Sequence, residues 1–493
     1  MNEELFIRGI VSLVISVVMF LTIEYRYEEE TKQKEVESKR QKYLPYISCG
    51  LLMGVVLGKI ICELLAYGIG AAKHVTISIC FEIFFHISLY YIVLMLLLPL
   101  FRKRSNARIC ATMWMLPNDL YILLYGSMQL QKPVGILAIP KHFAEVVFYI
   151  WLLGFGVVLL RGMVEHLKFR SEILKNAKTV EEEEILALWN EELRRANMRY
   201  TKYPLMISPN VGTPLSIGMY RSTTCVLLPE RKYSLEELKL IFRHEIVHIG
   251  REDVWNKFHI LFCTAMCWFN PLMWLAMRKS ADDLELSCDE TVLIEADEET
   301  RYRYASLILD TAGDERGFTT CLSASAEALR YRMKNIVKPN IQNSGAFTLA
   351  LVLFVLCMSC GHIALAYGEH TGKEVVYRWE DTKLYEIDSM YLVEANQIGT
   401  TIVECLDTES FHEYIANLRV QNMTGNYSFE NSEKMLHFAY ETTEGMRFVE
   451  LTDDVIRILA LDEDIRVWRT YHLPEGVDWE YLESIVFPVP DSN

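Results

Sequence analysis

The sequence has no glycine-rich phosphate loop and no recognisable nucleic-acid-binding motif, which points away from nucleotide chemistry and from direct DNA binding. Paired cysteines are missing too. The twelve cysteines are scattered, many of them in apolar stretches, and Cys405 alone falls in the C-terminal tail. That tail therefore forms no internal disulfide, and no cysteine-based zinc motif arises. Cys263 and Cys267 stand one helical turn apart, where core packing accounts for them. No cleavable leader is expected, because Leu5–Ile23 is long, apolar apart from Arg8, two serines and a threonine, and without a small-residue cleavage site. Basic residues are scarce in the tail. Residues 367–493 hold nine Lys+Arg against twenty-six Asp+Glu, a net −17, while the whole chain carries −16. The rest is close to neutral. A solubilising surface is the plain reading of that acidity and a cationic ligand the sharper one.

What is abundant is apolar sequence, at 51% of residues. Such a share predicts a membrane protein. Leu5–Ile23, Leu44–Ala66, Thr76–Leu100, Ile109–Leu130, Phe143–Leu160 and Phe347–Ala366 read as spans, the fourth interrupted by Asn118 and Asp119. The first loop is rich in Arg and Lys (Arg26 to Lys42). Arg102 to Arg108 follow the third span, and Arg161, Lys168 and Arg170 the fifth. The alternate loops hold only Lys73, then Lys132 and Lys141. The positive-inside rule puts the rich loops in the cytosol and the tail outside. Lys59/Glu63 and Glu82/His86 are helical pairs within spans, read as ion pairs near the interface. Val164 to Arg199 reads as a cytosolic connecting helix with an apolar stripe of Leu186, Leu188, Trp189 and Leu193.

The chemistry lies in His244-Glu-Ile-Val-His248 and Glu285-Leu-Ser-Cys-Asp289. Residues four apart share one helix face, so both imidazoles reach one ion, with bonds of about 2.0–2.1 Å to zinc. Glu245 stands beside that face as a general base, able to take a proton from an attacking water and deliver it to a leaving amine. A catalytic zinc takes three protein ligands, and Glu285 offers the third. Asp289, one turn on, is placed to hold a ligating histidine through its other ring nitrogen. Ser234-Leu-Glu-Glu237 is a capping box opening this helix, and Leu238, Leu240, Ile241, Ile246 and Val247 give it an apolar face. Phe258–Met277 is apolar enough to span but separates His248 from Glu285. A crossing there would part the ligands by roughly 30 Å. It is therefore a helix of the catalytic domain, bent or ended at Asn270-Pro271.

Thr213-Pro-Leu-Ser-Ile-Gly218, Val226-Leu-Leu-Pro229, the HEIVH helix with Arg251-Glu-Asp253 behind it, Trp268-Phe-Asn-Pro-Leu-Met-Trp274 and Glu285-Leu-Ser-Cys-Asp-Glu290 follow in order. Together they resemble the BlaR/MecR family of membrane metallopeptidases, signal transducers of bacterial β-lactam resistance, over roughly residues 140–340. The resemblance implies a cytosolic zinc peptidase whose activation leads to loss of a winged-helix repressor. It also implies zinc on His244, His248 and Glu285, with Glu245 as catalytic base. The tail departs from it. Penicillin-sensing members carry an acylatable Ser-x-x-Lys, and none follows the last span: Ser432-Glu-Lys434 has the wrong spacing, and His370-Thr-Gly-Lys373 is not the Lys-Thr-Gly strand of those domains. Covalent β-lactam sensing is not expected.

The expected fold is a polytopic α-helical membrane protein with a cytosolic gluzincin-like α+β metallopeptidase domain and a small external α+β, strand-rich C-terminal domain. Its parts are a five-helix membrane region (1–160), the peptidase (161–344), a last transmembrane helix (345–366) and an extracellular sensor (367–493). In the sensor, Glu374–Trp379, Thr401–Glu404, Met446–Glu450 and Ile465–Arg469 read as strands, and Ser410–Leu418 and Trp479–Val486 as short helices. Thr224, Cys225, Val226, Leu227 and Leu228 read as an edge strand for pairing with an extended substrate. The expected function is zinc endopeptidase signalling, in which an unknown external ligand triggers cleavage of a repressor or of the chain itself. A receptor acting by conformational change and a membrane processing protease are the alternatives. The first has no need of Glu245. An intramembrane site-2-type protease would want a downstream Asp-Gly ligand motif, and none is found.

Overall fold

The computed structural model describes residues 3–32, 50–102, 107, 109–114, 135–196, 198, 200–294, 296–311, 326–337, 345–359, 363–377, 387–394, 400–405, 407–424, 434–442, 445–462 and 465–488. They form two compact units. One comprises Leu5–Leu123 and Leu152–Met358; the other comprises Met1–Glu4, Leu124–Trp151 and Ser359–Asn493.

The larger unit is organised around a four-stranded sheet in the order Lys178–Thr179, Leu205–Ser208, Cys225–Pro229, Leu215–Ile217. The two inner strands run parallel and the outer pairings are antiparallel. Both faces are covered. Val226 and Leu228 pack with Leu238, Ile241, Phe242 and Ile246 of the motif helix, Leu235–Arg251. On the opposite face Cys225 and Leu227 pack with Ile173, near the end of helix Lys141–Leu174. The expected capping box is present: the Ser234 amide donates to Glu237 Oε2 at 2.7 Å, and Ser234 Oγ accepts from the Glu237 amide at 3.2 Å.

The motif helix ends at Glu252, which sits in the left-handed region at φ 57°. A second helix, Asp253–Met266, starts at once. Asn270 then caps a third, Pro271–Val292, accepting from the Leu272 amide at 3.0 Å. Phe258–Met277 is thus two helices parted at Asn270-Pro271. Lys141–Leu174 lies close against this region. A Cβ at Gly154 would meet the Trp268 ring at 2.2 Å, and one at Gly162 would meet Leu261 at 2.6 Å. Helices Glu298–Thr311 and Ala326–Val337 follow in the same unit.

Among the described residues, Phe143–Leu174 is the one helix long and apolar enough to cross a membrane; Phe6–Thr22, Ser88–Pro99 and Ala346–Met358 are shorter apolar helices. Helix Gly50–Phe101 takes in the third expected span and the second from Gly50 on, residues 44–49 lying outside the described residues, and is broken at Gly68, where φ is 83°. Of Ile109–Leu130, residues 115–130 lie outside the described residues, as do the side chains of Glu82 and His86. The last expected span is shorter than read. Its helix is Ala346–Ser359, and Ile363–Ala366 belong to a strand, because Ala364 is buried in a sheet core with Met423 and Val455. The expected connecting helix from Val164 to Arg199 is also interrupted. It stops at Leu174, turns through Asn176 at φ 65°, and resumes as Glu183–Arg195, whose Trp189 and Leu193 are buried.

The C-terminal unit is a ten-stranded sheet. In order, its strands are Gly135–Ile139, Ile363–Thr371, Arg419–Met423, Ile465–His472, Val455–Asp462, Gly445–Leu451, Lys434–Thr442, Ile387–Glu394, Thr400–Cys405 and Val486–Pro488. Helices Thr408–Asn417 and Trp479–Ile485 add Phe411, Ile415 and Leu482 to its main core. The strand-rich reading holds, except at Glu374–Trp379. There Gly372–Val375 forms a helical turn capped by Thr371, whose hydroxyl accepts from the Glu374 amide. Arg378 and Trp379 lie outside the described residues.

Candidate metal centre

The motif helix and helix Pro271–Val292 bring His244, His248 and Glu285 together. The two Nε2 atoms are 3.0 Å apart, and Glu285 Oε2 lies 3.6 Å from each. All three residues are at most 6% exposed. Neither oxygen of Glu285 has a hydrogen-bond partner, although Lys257 Nζ stands 3.8 Å from Oε1 and Arg332 Nη1 3.7 Å from Oε2. A buried carboxylate without donors is costly. Two imidazole nitrogens and one such oxygen converging on a point fit a divalent ion.

The far side of each ring is held by a different device. His248 Nδ1 meets Asp253 Oδ2 at 2.6 Å, a contact made possible by the left-handed turn at Glu252. His244 Nδ1 meets the Tyr304 hydroxyl at 2.7 Å; that hydroxyl donates to Asp289 Oδ1 at 2.8 Å. Arg332 clamps Asp289 with two bonds of 2.7 Å. With its one proton given to Asp289, the Tyr304 oxygen accepts from His244 Nδ1–H. In both rings the network favours a proton on Nδ1, so that once Nε2 gives up its own proton its lone pair faces the point where a metal would sit. Asp289 does not hold His244 directly, since its Oδ1 is 3.7 Å from Nδ1, and acts instead through Tyr304.

Cys288 is a second candidate third ligand. Its Sγ is 3.3 Å from His244 Nδ1, and the ligand atoms of His244, His248 and Cys288 lie within 4.8 Å of one another. Glu245 is 1% exposed, between the two histidines on the same helix.

Burial alone would push both imidazoles down. For His244 the neighbouring Cys288 and Glu285 outweigh it and raise the ring to about 10; for His248, Cys288, Glu285 and Asp253 raise it well above 6.5. Burial likewise opposes ionisation of Glu285, but His248, His244 and Lys257 hold it well below the ordinary carboxylate range. Asp253 is lowered because Arg251 and His248 overcome its burial. Tyr304 is raised, by burial first and then by Asp289, so it stays protonated and can donate.

The residues expected to form a substrate-pairing edge do not form one. Cys225–Pro229 is an inner strand with neighbours on both sides, and Cys225, Val226, Leu227 and Leu228 are at most 5% exposed. Thr224 turns its hydroxyl onto the carbonyls of Gly218 and Tyr220, at 3.2 and 2.8 Å. A short run without polar alternation is typical of a strand buried on both faces, not of an edge. The edge of the sheet here is Leu215–Ile217. Beside it lies a cavity of about 500 Å³ bordered by Ser216, Gly218, Tyr220, His248, Asp253 and Trp255.

No motif in the sequence singles out Asp253, Tyr304 or Arg332 for a role at the site. Asp253 had a local signal, five residues beyond His248 and across a helix break. Tyr304 and Arg332 arrive from helices far along the chain and had none.

An HExxH helix thus faces a carboxylate helix across a buried histidine pair whose rings are held on their far sides by Asp253 and Tyr304. The sequence pattern of the BlaR1 peptidase M56 family matches residues 81–336, more than half of the chain, and the chain belongs to that family. It is 30% identical to the regulatory protein BlaR1 of Bacillus licheniformis over 197 residues, 39% of this chain and 32% of that protein. It is 27% identical to the methicillin resistance mecR1 proteins of Staphylococcus aureus and Staphylococcus epidermidis over 128 residues, 24% of this chain and 21% of theirs. The chain thus matches a third or less of the length of these curated relatives.

Proposed function

We propose that the chain is an integral-membrane zinc endopeptidase of transmembrane signalling, which cleaves a winged-helix transcriptional repressor or itself. The convergence of His244 Nε2, His248 Nε2 and Glu285 Oε2, with no hydrogen bond to either Glu285 oxygen, is the observation that carries it. Glu285 is preferred to Cys288 as third ligand because Cys288 lies against His244 Nδ1, the nitrogen engaged by Tyr304. A bound zinc would supply Lewis acidity, polarising a peptide carbonyl and acidifying water. Glu245 takes the proton from the attacking water and returns it to the departing amine. Asp253 and Tyr304 keep both rings oriented throughout. A substrate segment reaching the site through the cavity beside His248 would run along Leu215–Ile217, with Tyr220 and Trp255 as an aromatic wall.

In this reading the larger unit's catalytic part is cytosolic and the C-terminal unit external. Loop charge supports that orientation. So does one strand pairing: Gly135–Ile139, between the fourth and fifth apolar stretches, lies parallel to Ile363–Tyr367, which follows the last apolar helix and leads into the tail. Loop charge assigns those two segments independently to the same side of the membrane. The cue is an external ligand other than a covalently bound β-lactam, so a fluorescent penicillin should leave residues 367–493 unlabelled.

The direct test is the purified full chain loaded with zinc and offered a peptide library. Wild type should cleave, and Glu245→Gln should keep its metal while losing cleavage. A Glu245→Gln variant as active as its parent would refute the reading. Reporters fused after Asn493 and inserted near Glu182 should lie on opposite sides of the membrane.

A further inference from the structure

Helix Pro271–Val292 carries acids on two faces. At 100° per residue Glu285 and Asp289 share one face, and Asp283 and Glu290 share another, well over 100° round the helix. The first face meets the histidines. The second is gripped by the segment that follows helix Gly50–Phe101. Arg102 Nη2 donates to both oxygens of Asp283 at 2.7 Å, Trp114 Nε1 donates to Oδ2 at 2.6 Å, and the Ala107 amide donates to Glu290 Oε2 at 2.8 Å. The Asp283 side chain is 1% exposed, so a carboxylate denied to water draws its hydrogen bonds from Arg102 and Trp114. Arg102 also lies over the ring of Tyr331, at 5.3 Å, beside the Arg332 that clamps Asp289. The gripping segment is in turn fixed to the apolar helix. Tyr90 and Tyr91 donate to the carbonyls of Met113 and Trp114, both at 2.7 Å, and Tyr91 stacks on Trp114.

We propose that Arg102 and Trp114 are positioning residues for the metal centre. Acting through Asp283, they fix the rotation of helix Pro271–Val292 and so the placing of Glu285 against His244 and His248. Helix and segment cannot move apart without stranding a buried carboxylate, so a displacement of helix Gly50–Phe101 reaches the metal ligand through this contact. The inference rests on the zinc assignment above.

The test uses the full chain in detergent, with zinc affinity read by chelator competition and thermal melting of the chelated protein as a separate measure. Trp114→Phe keeps the ring and loses only the donor; it should weaken zinc binding about 10-fold, the scale seen when groups supporting a metal ligand are removed. Asp283→Asn should weaken it at least as much. The double variant should bind zinc no worse than Asp283→Asn alone, because both act on one contact. Arg161→Ala, which breaks an exposed ion pair with Glu165, should bind as the parent does. If Asp283→Asn fails to fold, Trp114→Phe decides. Zinc affinity within twofold of the parent in Trp114→Phe would overturn the proposal and leave the contact as packing alone. A parent that binds no zinc would instead sink the metal assignment beneath it.

Discussion

The two units treat charge in opposite ways. In the larger one, ionisable side chains are taken out of water: His244, Glu245, His248, Arg251, Asp253, Asp283, Glu285, Asp289 and Arg332 are all at most 6% exposed. The C-terminal unit carries the chain's acidic excess, yet among its described residues few ionisable groups are buried, Arg447 and His412 among them. Burying a charge is expensive unless it is paired, hydrogen-bonded or bound to metal. In this network Asp253, Asp283, Asp289 and Arg332 are paired and hydrogen-bonded, while the two Glu285 oxygens accept no hydrogen bond. Exposed acids cost little, and in the C-terminal unit they speak to solubility and to association with cations.

This contrast is sharpest at the proposed metal ligands. His244→Ala or Glu285→Ala should abolish stoichiometric zinc, whereas Glu245→Gln should retain it and lose about 10²–10⁴-fold in cleavage, the usual weight of a general base. Metal analysis beside a cleavage assay separates the two; full zinc in a His244/His248 double variant would end the assignment. The supporting groups come next. Asp253→Asn and Tyr304→Phe each release one imidazole nitrogen and should weaken zinc about 10–100-fold. Unchanged affinity in both would mean that the rings are held by packing.

Acidity gives a third measure. The folded-state pKa of His244 is raised from 6.5 to about 10. Without metal, the protonated ring stabilises the fold fully below pH 6.5, and that contribution is lost as pH rises through about 10. Zinc needs the unprotonated ring, so its affinity should climb over that same window, and binding at pH 7 should release about one proton or more. Calorimetry in buffers of different ionisation enthalpy reads the number. Release of well under one proton would mean that the histidines titrate as ordinary imidazoles. The smallest effect belongs to the C-terminal unit. Arg419 and Glu475 pair at 3.2 Å with side chains 75% and 67% exposed, so Arg419→Ala should change stability by about 0–1 kcal/mol. A larger loss in denaturant unfolding would show that charge in this unit also does structural work.

Local order along the chain was enough for much of this. The Ser234–Glu237 box, the i,i+4 histidines on a half-apolar helix, the stop at Asn270-Pro271 and the alternating strands of the tail depend on contacts within a few residues, which spacing and side-chain type determine by themselves. The three-dimensional fold decided the rest. Whether Cys225–Pro229 is inner or edge depends on which strands arrive beside it, and Leu205–Ser208 and Leu215–Ile217 take both sides. Ile363–Ala366 is apolar enough for a helix, yet it pairs with Gly135–Ile139, more than two hundred residues earlier in the chain. Asp289 was legible as a supporting carboxylate, but its contact runs through Tyr304, and Arg332 and Trp114 reach the two faces of one helix, Arg332 from after it in the chain and Trp114 from well before it. A buried charge needs its partner in space, at hydrogen-bond distance, and sequence spacing carries no such information beyond about one helical turn.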